Sequence, residues 1–129
     1  MSEIVELTIP VRADLVVLAR LTAATVASRA DFDIEEIEDL RLAVDELCSS
    51  LAHAGGDGRL DLRFSIDDGQ IEVSCSHRGG SIVPGATNEG LLGELSARIL
   101  DALVDEHGQE MEDGQRRAWL RKRRTAHVG

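Results

Sequence analysis

Hydrophobic and polar positions alternate along this chain with two different periods, and its elements begin where one period gives way to the other. Residues 3–9 alternate loosely and run into Pro10, which suits an edge strand followed by a turn. From Arg12 to about Arg29 there is no Gly or Pro. There Leu15, Leu18, Thr22 and Val26 recur at helical intervals, predicting a first helix. Asp33 stands three positions before Glu36, the spacing of a capping box at a helix start. The helix behind it carries Ile37, Leu40, Val44, Leu47 and Leu51 on one apolar stripe, with Asp39, Asp45 and Glu46 off its axis. Gly55 and Gly56 stop it.

The period then drops to two. Leu60, Leu62, Phe64 and Ile66 alternate with Arg59, Asp61, Arg63 and Ser65, as on a half-buried strand. Asp68-Gly69 supplies a hairpin turn, and Ile71, Val73 and Cys75 continue opposite Glu72, Ser74 and Ser76. A glycine-rich segment, RGGSIVPGATNEG, leads to a third helix whose buried side is expected at Leu92, Leu95, Ile99 and Leu103. Gly108 and Gly114 bracket a short segment, and Ala118 to Lys122 reads as a final strand. The order strand, helix, helix, two strands, loop, helix, two strands predicts an α+β two-layer sandwich: a mostly antiparallel mixed sheet with three helices on one face. No repeat or long linker divides the chain, so residues 1–129 read as a single domain with a frayed tail at 125–129.

Composition narrows the classes. A chain of 129 residues, 43% hydrophobic and 29% charged, can bury a core without disulfides or a structural metal. No apolar run approaches the roughly 18 residues of a membrane span. The start MSEIVELTIP lacks the basic and apolar regions of a secretory signal, so a cytoplasmic protein without a membrane partner is expected. Cys48 and Cys75 fit no metal or disulfide spacing and read as buried thiols, while His53 and His107 show no zinc spacing. The net charge of −10 argues against direct binding of nucleic acid, which needs cations to displace phosphate counterions. Acids gather between Asp31 and Glu46 and bases between Arg116 and Arg124. An acidic helix face meeting a basic partner is the functional reading, and solvated surface the plain one. In the tail RRAWLRKRR, alternation puts Ala118 and Leu120 on one face and Arg117, Trp119 and Arg121 on the other.

The order of elements and the text IEDLRLAVDELCSSLAHAG resemble the anti-sigma factor and serine-protein kinase branch of the GHKL (histidine kinase-like, Bergerat-type) ATPase superfamily. In that branch the helix reads roughly DLKLAVSEACTNAVKHA. The resemblance implies that Glu46 polarises a water or the substrate serine. It also implies that position 50, an Asn in the family and Ser50 here, helps hold the magnesium between nucleotide phosphates. The next family motif, Asp-x-Gly-x-Gly, falls on His77, Gly79 and Ser81, with His77 where a carboxylate accepts from the adenine amino group. Neutral imidazole can accept one hydrogen bond but supplies no carboxylate. The lid motif Gly-x-Gly-Leu becomes Asn88-Glu89-Gly90-Leu91, keeping Gly90 and Leu91.

By resemblance, then, the candidate cofactor-binding residues are Glu46, Ser50, His77, Gly79, Gly90 and Leu91. Glu46 is the catalytic candidate, and the Ser50 position the candidate for the metal. ATP and magnesium are the cofactors implied, with no zinc, haem or flavin. The substitutions at the metal ligand, the base reader and the lid predict weakened or lost nucleotide binding. The expected function is an anti-sigma-factor-like protein that sequesters a sigma factor and regulates transcription. A STAS-type antagonist and a homodimer are its further implied partners. The alternative is an active ATP-dependent serine-protein kinase acting on that antagonist. A scaffold for another relative, or an unrelated α+β small-ligand sensor, are the remaining readings.

Overall fold

A computed structural model of the chain describes residues 3–54, 57–79, 91–112 and 115–125. Its elements follow the expected order. Strand β1 (Glu3–Pro10) leads through a short turn of 3-10 helix (Ala13–Leu15) into α1 (Val16–Arg29) and α2 (Ile34–Ala54). The hairpin β2 (Arg59–Asp67) and β3 (Gln70–Arg78) comes next, then α3 (Leu91–Leu103), β4 (Glu106–Glu112) and β5 (Gln115–Arg123). The sheet runs β1-β2-β3-β5-β4, with β1 at one edge as Pro10 suggested. All its pairings are antiparallel, so among the described residues it lacks the parallel pair that a mixed sheet would have.

Alternation along each strand creates two unlike faces. On one, the row Leu7, Leu62, Cys75, Ala118 and Gln109 crosses the whole sheet, beside the row Val5, Phe64, Val73 and Leu120. Leu62, Phe64, Val73, Cys75, Ala118 and Leu120 are buried beneath the helices. This is the α+β sandwich: a five-stranded antiparallel sheet with the helices on one face. The other face is polar. Its central row runs Glu6, Arg63, Ser74, Trp119 and Gly108. Trp119 lies against Gly108, where an added Cβ would stand 2.9 Å from the indole nitrogen, and Arg121 sits 5.7 Å from the ring centre.

In α2 the expected stripe is the buried one: Leu40, Val44, Leu47 and Leu51 are buried and Ile37 packs against the core. The capping box forms as spaced, with Asp33 N donating to Glu36 Oε1 at 2.9 Å and Glu36 N to Asp33 Oδ1 at 2.8 Å. In α1 and α3 the stripe is displaced. Val16, Ala19, Ala23, Val26 and Ala27 face inward in α1, while Leu18 is 41% exposed. α1 lies along α2, and alanines let two backbones approach where leucines would hold them apart. In α3 the inward residues are Ser96 and Leu100, followed by Val104, with Leu103 half-buried; Leu95 and Ile99 are exposed. The side chain of Leu92 lies outside the described residues. Among those described, no helix is long and apolar enough to cross a membrane.

Candidate functional site

Four of the candidate residues, Glu46, Ser50, His77 and Gly79, lie on the second half of α2 and at the end of β3, two elements that pack together. Glu46 and Ser50 are one turn apart on α2, which places them on one flank of that helix. Glu46 is half-buried, and Ser50 is 8% exposed. Between them in sequence is Cys48, which is fully buried like Cys75 of β3 and pairs with it where α2 packs on the strand. The hydrogen bond with Cys48, then burial, push the Cys75 thiol well above its ordinary range, so it stays protonated and inert. Two residues further along β3, His77 points to the same helix-covered side because strand side chains alternate.

His77 is 7% exposed, and its Nε2 lies 2.7 Å from the carbonyl oxygen of Asp57. A carbonyl can only accept, so this nitrogen carries the proton and donates. Ser50 Oγ accepts from the Nε2 amide of Gln109 on β4 at 3.2 Å. Gly79, just past β3, has φ of +70°, a conformation natural to glycine. Gly90 and Ser81 lie outside the described residues, as does the side chain of Leu91, the first residue of α3. The structure therefore brings Glu46 and Ser50 onto one helix flank and sets His77 and Gly79 at the neighbouring strand end.

Sequence reading missed two residues here. Gln109 and Asp57 carried no signal, because one contact spans 59 positions and the other uses a backbone carbonyl that any residue supplies. Chemically the site offers a carboxylate at Glu46, a hydroxyl at Ser50 and an imidazole at His77. Among the described residues no group of three or more His, Cys, Asp or Glu side chains is placed to hold a metal ion.

An order of strand, two helices, hairpin, helix and hairpin, with the helices on one face of an antiparallel sheet, defines a class of α+β sandwich. Residues 9–122 match the histidine kinase-like ATPase domain family, and the chain belongs to it. Among known proteins it is similar to serine-protein kinase RsbW of Bacillus pumilus, at 34% identity over 109 residues covering 80% of this chain and 67% of that protein. The RsbW proteins of Bacillus velezensis and Bacillus subtilis are 31% and 30% identical over 119 and 122 residues. Those matches cover 79% and 81% of this chain and 74% and 76% of the relatives.

Proposed function

We propose that this chain is an anti-sigma-factor-like regulatory protein, a cytoplasmic module that captures a sigma factor through its surface, with nucleotide binding weakened or lost. The observation carrying the reading is the acidic flank of α2. Glu35 and Glu38 are exposed, and Asp39, Asp45 and Glu46 are partly so. Arg41, Arg20 and Lys122 answer only some of this charge. A sigma factor carries basic surface for promoter DNA, and complementary fields speed encounter and exclude wrong partners. The whole chain reads as one such domain, with a STAS-type antagonist and a second copy as further partners and no direct contact with nucleic acid.

The donor set supports the weakened nucleotide site. Magnesium favours several oxygen ligands in octahedral array, and the Ser50 position supplies a neutral hydroxyl already accepting from Gln109. At the base-reading position His77 presents a donor engaged with Asp57 where the family motif has an acceptor. An adenine amino group left without its partner loses about 1–3 kcal/mol.

A second reading is favoured by Glu46, which keeps the family's carboxylate, and by the kinase names of the relatives. Bound ATP would then supply a phosphoryl group, and Glu46 would take the proton of the acceptor serine on the STAS-type partner. Calorimetric titration with magnesium-ATP separates the two. No heat at millimolar nucleotide supports the binding module; binding in the micromolar range, with phosphate transfer lost in Glu46→Gln, establishes the kinase.

A further inference from the structure

Among the altered motif positions, the side chains of Ser50 and His77 are built into the fold. His77 donates to the Asp57 carbonyl from a ring that is almost wholly buried. The turn it grips is held from two more directions. Gly58 O accepts from Val11 N at 3.1 Å, which joins the turn to the end of β1. Gly58, at φ of +97°, also lies so near the end of β3 that a Cβ there would stand 2.7 Å from the carbonyl oxygens of both Arg78 and Gly79. On the other side of the site the Gln109 amide ties Ser50 of α2 to β4.

We propose that this end of the domain is a clamp that holds its shape with no nucleotide: His77 is a positioning residue fastening the 57–58 turn to β3, and Gln109–Ser50 joins α2 to β4. The proposal rests on the nucleotide-weak reading above and adds what replaces the ligand. Its physical core is the reach and the proton of the side chain at 77. An aspartate there would be too short to reach the Asp57 carbonyl and, when ionised, would have no proton to give it, so a base-reading acid would leave the present turn without this bond. The donor at 77 and the tight approach of Gly58 to Gly79 belong to one arrangement.

The test uses two variants of similar polarity. In His77→Gln the amide nitrogen falls near the position of Nε2, and in His77→Asn near that of Nδ1. Only the first can therefore reach Asp57. Amide exchange at Val11, followed by NMR in the full chain, reports whether the turn is held. The clamp predicts exchange about tenfold faster in His77→Asn, with His77→Gln restored to within about threefold of the parent. It also predicts no change at Val11 in the parent on adding millimolar magnesium-ATP. Equal rates in the two variants overturn the positioning role of His77, whether or not a sigma factor is bound. Slower parent exchange with magnesium-ATP overturns the independence from nucleotide. A failure to bind any sigma factor overturns the partner reading alone and leaves these rates untouched.

Discussion

Glu36 is buried near the start of α2, and its two oxygens serve different parts of the chain. Oε1 closes the capping box with Asp33 N, and Oε2 accepts from Thr125 N at 2.6 Å, beyond the end of β5. Glu36→Ala removes a cap and a tail attachment together and should cost roughly 1–3 kcal/mol, read as a lower urea midpoint. A loss under about half a kcal/mol would place the tail contact outside the folding unit. The capping half of this device was legible because it needs only two residue types three apart. The tail half joins positions 89 apart through a backbone N–H and leaves no mark in sequence. Cys75 gives a pH-dependent prediction at the same scale. Its folded thiol holds its proton more tightly than an unfolded one, so above the unfolded value of about 8.5 the unfolded state alone sheds protons. The contribution of Cys75 to stability should be level below that pH and fall as it rises further. Alkylation of either cysteine should track global unfolding; rapid labelling of the native chain would contradict the packing of α2 on β3.

At the scale of elements, strands were read better than helices. A period of two leaves only two choices of face, and β2 and β3 bury the residues expected except Ile66, which is half-buried, with His77 continuing the buried series. A helix can be misread by one position and still look amphipathic. Both α1 and α3 show that shift; in α1 large residues were taken as the inward ones, while Ala19, Ala23 and Ala27 are buried there. The consequence can be measured. Ala23 is fully buried, so Ala23→Leu should cost about 1–3 kcal/mol by overpacking, whereas Leu18→Ala, at an exposed position, should stay within about 0.5 kcal/mol. The reverse order in urea or thermal unfolding would restore the stripe that sequence alone suggested. Trp119 shows how a strand uses its outer face: the indole fills the space that Gly108 leaves open on the next strand.

Across the whole molecule the two charge blocks have different fates. Arg121 meets Glu72 and Glu106, Arg123 meets Glu106, Arg117 meets Glu110, and buried Lys122 donates to Leu103 O at 2.8 Å. The basic tail is spent largely inside the sheet, each exposed pair contributing no more than about 1 kcal/mol. The acids of α2 remain the more open block. On the polar face of the sheet an open groove of about 720 Å³, lined by Glu6, Asp61, Arg63, Ser74 and Ser76 among others, lies on the side away from Glu46 and His77. The fold was legible from element order, and one helix motif named the candidate site residues on α2. What holds the site was not, because Asp57, Gly58 and Gln109 act through backbone atoms and distant strands.

The most direct measurement is the affinity of the full chain for sigma factors across a salt series, with magnesium-ATP and again with a chelator in its place. The account predicts one complex whose affinity falls as salt rises, is equal in the two conditions, and weakens on neutralising Glu35 and Glu38. Binding that appears only with magnesium-ATP, or is indifferent to salt and to those acids, would contradict it.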